Sequence, residues 1–240
     1  RDNVFAAIGS FAQEQVRPRE VKRSCTDSER THRFDICDDL VDFTGMSLED
    51  VELRMGMVDN FHHEAEYSFW NPETASQLAW FYSTSQAYLF RNAVRGAKSH
   101  ALDALIKDVH EPVLDYAGGA GNSLLYLAVN RTMKCQYFDI GMIERAFVQF
   151  RVAKRGLQNL VSFVDPWSQR TVWQFDPIKA LPRDGSLGAI LANDVLSRVP
   201  HYENVVSAMI DSLKMGGVIV EDSKFATHPA YLARMHIDNG

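Results

Sequence analysis

The run Val113-Leu114-Asp115-Tyr116-Ala117-Gly118-Gly119-Ala120-Gly121-Asn122 constrains this chain more than any other stretch. It reads as a buried strand that breaks into a glycine-rich turn and opens a helix, which is how α/β proteins build a nucleotide pocket. Glycines let the backbone approach a bulky ligand closely, and a helix starting near Asn122 offers the unpaired N–H groups of its first turn. Eighteen positions past Gly121, the apolar segment Cys135-Gln136-Tyr137-Phe138 ends in Asp139, where a carboxylate can accept both hydrogen bonds from a ribose diol. The turn alone reads equally as a tight strand-to-helix corner; turn and acid together favour the pocket.

The downstream order of elements adds to this. Leu187 to Asn193 is a buried-strand pattern closed by Asp194, a helical run follows from Glu203 to Lys214, and Met215-Gly216-Gly217 leads into a second apolar strand, Val218-Ile219-Val220, ending in Glu221-Asp222. The series is β-α-β-α-β, which predicts an α/β fold with a doubly wound, mostly parallel sheet.

From about Val113 to Asp222, a little under half its length, the chain resembles the class I S-adenosylmethionine-dependent methyltransferases. Asp115, Ala117, Gly119 and Gly121 match the first motif, strand-Asp-x-Gly-x-Gly-x-Gly, with Ala117 in place of its first glycine. Asp139 matches the acid that ends the second strand. Asn193-Asp194-Val195-Leu196-Ser197-Arg198-Val199-Pro200-His201 resembles the fourth strand and its loop, and Leu213 to Val220 resembles the L-x-x-G-G entry to the fifth. The resemblance implies a Rossmann-like fold, S-adenosylmethionine as cofactor and methyl transfer as activity. It implies cofactor contacts from Asp115, Ala117, Gly118, Gly119 and Gly121 at the turn, from Asp139 and Ile140 after the second strand, and from Asp194 after the fourth. For the acid that meets the adenine amino group, both Asp165 and Asp176 are candidates; Asp165 directly follows the strand-like run Leu160 to Val164 and is preferred.

A nicotinamide-dependent enzyme uses the same glycine logic. A dinucleotide, however, needs a helix N-terminus facing its pyrophosphate, with Gly-x-Gly-x-x-Gly spacing. Here Gly118-Gly119-x-Gly121 is followed by Asn122-Ser123, without the third glycine at the helix-packing position. S-adenosylmethionine carries no phosphate. The first alternative, ahead of the nicotinamide-dependent enzyme, is a catalytically silent S-adenosylmethionine-binding or scaffold subunit.

With 240 residues, 46% of them hydrophobic, the chain can bury a full core and fits one domain with an elaborate extension. The expected division is a helical N-terminal cap over 1–110 and the cofactor-binding α/β domain over 111–240. A formal net charge of −6 and the lack of a basic stripe with interleaved aromatics argue against a nucleic-acid partner. The only basic run, Arg17 to Arg23, reads as a solvated loop. Cys25, Cys37 and Cys135 have neither C-x-x-C spacing nor an even count, which fits a reducing cytoplasm and indicates neither zinc knuckle nor disulfide framework. No apolar run approaches the ~20 residues needed to span a bilayer, so no membrane association is expected, and no signal sequence is seen. The chain begins at Arg1 rather than methionine and stops soon after the fifth strand, where family members continue into two more, so a fragment of a longer chain is expected.

Before His110 the signals are helical. Ser47-Leu48-Glu49-Asp50 resembles a capping box, starting a helix that runs through Asn60-Phe61-His62-His63-Glu64 toward Trp70. Asn71-Pro72-Glu73 is an N-cap, a first-position proline and a first-turn acid; the helix it starts runs through Tyr88 to about Arg95, with Gly96 as its stop. A shorter helix spans Ser99 to Asp108. The family resemblance implies that such a cap closes over the cofactor and supplies the acceptor pocket. Aromatics are dense from Phe61 to Phe90, and cap packing or a homodimer face accounts for most of them. Tyr67, Trp70 and Tyr82 are the candidate substrate contacts, because their polar tips can orient an acceptor that the rings cover.

Methyl transfer is an in-line displacement, so the protein mainly aligns acceptor and methyl group and excludes water. A hydroxyl, thiol or carbon acid additionally needs a base. His201, after the fourth strand, is the first candidate, with an ordinary pKa of about 6.5 suited to proton transfer near neutrality; Tyr202 stands beside it. The bland reading of His201 is a loop residue that caps the following helix. His62 and Glu66 share a helix face and form a second cluster, a candidate metal site or His/carboxylate pair, although surface positions explain them more simply and the spacing is not the His-Glu-x-x-His pattern. The expected substrate is a small or carrier-tethered molecule of secondary metabolism, including the possibility of metal-assisted C-methylation of carrier-bound acyl chains.

Overall fold

The computed structural model describes residues 36–57, 82, 86–95, 110–169, 174–193, 195–196, 199 and 201–221. Among the described residues, three helices precede the sheet: α1 (Ile36–Thr44), α2 (Leu48–Met57) and α3 (Gln86–Arg95). The Ser47 hydroxyl caps the helix as expected, since Ser47 Oγ accepts the Asp50 N–H at 3.1 Å and donates to the Asp50 carboxylate at 2.7 Å. The described part of α2 ends at Met57, and the expected continuation to Trp70 lies outside the described residues, as do the Asn71-Pro72 start and the Ser99–Asp108 helix. The described part of α3 runs to Arg95, and the expected stop at Gly96 lies outside the described residues.

The described elements that follow are β1 (Val113–Tyr116), α4 (Asn122–Arg131), β2 (Cys135–Phe138), α5 (Met142–Lys154), β3 (Val161–Phe163), β4 (Trp167–Gln169), β5 (Gln174–Phe175), β6 (Leu187–Leu191), α6 (Tyr202–Ser212) and β7 (Leu213–Val220). Five strands form one sheet in the order β3-β2-β1-β6-β7, and every pair in it is parallel. The central strands β1 and β6 are buried along their whole length, as strands covered on both faces must be. Alternate residues go to opposite layers. Leu114, Tyr116 and Ile190 join Val205, Ala208 and Met209 of α6 in one core, whereas Val113, Ala189 and Leu191 join Leu124, Leu125, Val148 and Val152 of α4 and α5 in the other. The sheet is therefore doubly wound. Because β2 and β6 flank β1 on opposite sides, the direction of winding reverses at β1, and ligands of such sheets bind outside the carboxyl ends of the strands at that reversal.

Two local features differ from the sequence expectation. An antiparallel pair, β4 with β5, is inserted between β3 and β6. In addition, α6 stops at Ser212 and β7 begins at Leu213, earlier than the expected helix end at Lys214 and strand start at Val218. Leu213 pairs with Leu187, but the next matched pair is Ala189 with Val218, so the segment around Met215-Gly216-Gly217 bulges out before the strand resumes.

The first helices pack on the α/β layer rather than standing apart. Ile36, Leu40, Val51, Leu89, Phe90 and Ala93 share a core with Ala120 of the glycine turn and Phe147 of α5.

Candidate functional site

The carboxyl ends of β1 and β2 carry the site. After Tyr116 the chain turns through Ala117, Gly119 and Gly121, all with positive φ (55°, 52° and 70°). Glycine adopts that region freely, whereas Ala117 does so at a cost of about 1–2 kcal/mol. The turn is bound to the strand beside it: the Ala117 N–H donates to Phe138 O at 2.7 Å, and the Tyr137 hydroxyl donates to Gly119 O at 2.7 Å. Side chains are excluded here. A Cβ on Gly118 would lie 2.7 Å from Asp115 Oδ2, and one on Gly119 would lie 2.9 Å from the Asn92 side chain of α3. A Cβ on Gly121 would meet Val148 of α5 at 2.8 Å, so packing of α4 against α5 accounts for that glycine.

Asp139 lies at the end of β2, and two backbone amides orient its carboxylate. Gly119 N–H donates to Oδ2 at 2.8 Å and Gly141 N–H to Oδ1 at 2.7 Å, so the acid ties the glycine turn to the start of α5. Burial pushes its pKa up, against the opposing pull of the Gly141, Gly119 and Ile140 amides and the Arg145 charge. Asp115 is also buried, and Oδ2 has no hydrogen-bond partner among the described residues. Its pKa is pushed up to about 7, by burial first and the nearby Asp139 charge second, while the Leu124 amide opposes. Glu144, in the first turn of α5, is 2% exposed with neither oxygen partnered among the described residues. Burial and the Asp139 charge hold its pKa well above the usual carboxylate range. Asp139 thus stands between two further buried acids, Asp115 and Glu144, each of which feels its charge. Among the described residues no group of three His, Cys, Asp or Glu is placed to hold a metal ion.

The remaining predicted residues are dispersed. Ile140 is half-buried against the α6-side core. Asp165 follows β3, half-buried, and its Oδ1 accepts the Trp167 N–H at 3.2 Å, whereas Asp176 turns its Oδ1 to the Ile178 N–H at 3.0 Å. His201 is exposed at the N-cap of α6 in a left-handed conformation (φ 54°), and its side chain makes no cap hydrogen bond. Tyr202 is half-buried against the core. Tyr82 packs edge-on to Tyr88 with ring centroids 4.6 Å apart. Asp194, Tyr67, Trp70, His62 and Glu66 lie outside the described residues.

Sequence reasoning passed over Asn92, Tyr137, Glu144 and Arg151. Arg151 of α5 is fully buried. It donates through Nη1 to Ala120 O and Asn122 Oδ1, each at 2.6 Å, and through Nε to Asp39 Oδ2 of α1 at 2.8 Å. Arg155 and Lys154 also reach Asp39, at 2.6 and 3.0 Å. Burial raises the Asp39 pKa, but the Arg155, Arg151 and Lys154 donors outweigh it and hold the carboxyl below its ordinary value. A signal for two of these residues was present: Glu144, Phe147, Val148, Arg151 and Val152 recur at the spacing of one helix face, so two charges interrupt an inward stripe.

A family model described as a methyltransferase domain matches residues 88–235, from α3 to beyond β7. Among curated proteins, none matches the chain.

Proposed function

The chain belongs to the S-adenosylmethionine-dependent methyltransferases, and from that premise we propose that the turn and carboxylates at the ends of β1 and β2 form its cofactor pocket, with the methyl acceptor received beneath the N-terminal helices. The observation that carries this reading is Asp139, buried and oriented by the Gly119 and Gly141 amides at 2.8 and 2.7 Å. Each carboxylate oxygen accepts one of those bonds and keeps lone-pair capacity for a ribose hydroxyl. The residues fit the cofactor in two further respects. Gly118 and Gly119 leave no room for side chains of their own, and the orphaned Asp115 Oδ2 suits the cationic amino-acid end. Ile140 and Asp165 serve the adenine end, with Asp194 after β6.

When bound, S-adenosylmethionine supplies an electrophilic methyl group on a sulfonium. The chain's own part is to hold the acceptor in line, keep water out and take a proton where the acceptor carries one. His201, exposed at the start of α6, is the proposed base and can pass its proton on to solvent, with Tyr202 beside it. Tyr67, Trp70 and Tyr82 are proposed acceptor contacts in a cap that spans 1–110. We assign the acceptor to small or carrier-tethered molecules of secondary metabolism, the compartment to the cytoplasm, and the cap to a homodimer face. No helix among the described residues is long and apolar enough to cross a membrane.

Calorimetry tests the pocket. S-adenosylhomocysteine is expected to bind, and Asp139→Ala to weaken it by about 1.5–3 kcal/mol, the worth of hydrogen bonds to a charged group; unchanged affinity would move the ribose elsewhere. For the base, His201→Ala is expected to lower kcat by about 10²–10⁴-fold at unchanged cofactor affinity. An undiminished rate would remove His201 from the chemistry.

A further inference from the structure

We propose that Glu144 is a second ribose-facing carboxylate, sharing the cofactor's hydroxyl donors with Asp139; this rests on the pocket reading above. Glu144 is the third residue of α5, after the N-cap Gly141. A glutamate there ordinarily reaches back to the N-cap amide and completes a capping box. Here that amide is already taken, because the Gly141 N–H donates to Asp139 Oδ1 at 2.7 Å. Displaced from its usual partner, the Glu144 carboxylate stays folded over Gly141. A Cβ on that glycine would lie 2.2 Å from Glu144 Oε2 and 3.2 Å from Asp139 Oδ1. The missing side chain of Gly141 is therefore the space in which both acids stand.

No other described residue gives either Glu144 oxygen a hydrogen bond, and only its own backbone N–H lies near enough to favour the carboxylate. The Tyr137 hydroxyl from β2 is spent on Gly119 O. Arg145 sends Nη1 to Val164 O and stacks over the Phe163 ring at 5.5 Å. The charged group facing it, Asp139 at the end of β2, is an acid itself. An unpartnered buried acid opposes folding, and the neighbouring inward positions of α5, Phe147, Val148 and Val152, carry apolar side chains that would avoid the cost. A ligand with hydroxyl donors removes the penalty. Since Asp139 already marks the ribose, the diol is the donor group within reach of both acids.

The test is calorimetry on the full chain with S-adenosylhomocysteine and its 2′-deoxy and 3′-deoxy analogues. Wild type is expected to lose about tenfold in affinity for at least one analogue. Glu144→Met should bind S-adenosylhomocysteine about tenfold more weakly and lose its discrimination against that analogue. Glu144→Gln, isosteric and expected to fold, should lose about half of the discrimination in free-energy terms, roughly threefold in affinity ratio. Either variant binding S-adenosylhomocysteine like wild type, or losing affinity with both analogue ratios unchanged, would overturn the proposal, the second result marking Glu144 as structural. A wild type indifferent to both hydroxyls would instead remove the ribose from this pocket, and the reading beneath the proposal with it.

Discussion

At Asp115 a carboxylate has left solvent with Oδ2 wedged beside Gly118. Its folded pKa of about 7 stands above the ordinary aspartate value of about 3.9. The native state therefore binds more protons than the unfolded chain between those values, so stability is undiminished below about pH 4 and falls as pH rises through the window to about 7. Asp139 and Glu144, also raised, act with the same sign. In the protein without cofactor, Asp115→Asn is expected to add about 1–3 kcal/mol of stability at pH 8 and nearly nothing at pH 4. Urea titration at both pH values, with S-adenosylhomocysteine affinity measured alongside, separates the two roles: the variant gains stability and binds more weakly. An equal change at both pH values would show that Asp115 does not ionise within the window. Ala117, held at positive φ in the same turn, is a second place where the pocket is built against local preference.

Among the elements, α5 holds the site together. Its first turn places Glu144 beside Asp139, its middle sets Val148 against Gly121, and near its end Arg151 joins Asp39 of α1 to Ala120 and Asn122 of the turn. Asn122 in turn donates through Nδ2 to Ala93 O of α3 at 3.3 Å. The helices before the sheet are thus tied to the glycine turn by polar bonds as well as by the core around Phe147. Removing Arg151 strands the Ala120 and Asn122 acceptors and takes one of three cations from Asp39, whose carboxylate keeps Arg155 and Lys154. Arg151→Met is therefore expected to destabilise by about 1–3 kcal/mol in urea unfolding, below the ~3–5 kcal/mol of a fully uncompensated buried charge. Arg151→Met combined with Asp39→Asn should cost less than the sum of the single changes, because the bond between the two side chains is lost in either single variant. Additive losses would mean that the two side chains contribute independently.

Across the whole molecule, what was legible in the sequence is what depends on near neighbours along the chain. The turn from Ala117 to Gly121, the Ser47–Asp50 cap and the fully buried strands β1 and β6 are each written in a few consecutive residues, through backbone conformation, a three-residue hydrogen-bond reach and apolar runs. Asp139 belongs with them, since its place at the end of β2 follows from the strand before it. The β4–β5 pair escaped notice because strands of three and two residues carry too little periodicity to read. Tertiary structure alone decided the rest. Glu144 and Arg151 fall on the inward face of α5, where local pattern does not say what a charge would meet. They are buried because of partners that local pattern does not show: for Arg151, Asp39, 112 positions away, and for Glu144, a carboxylate that takes the amide it would otherwise cap. Asn92 reaches Gly119 only once α3 lies across the turn. Local propensity acts over one helical turn or one strand, whereas desolvation and ion pairing depend on which surfaces meet, so the sequence by itself determined the frame of the pocket and the folded chain decided which charges line it.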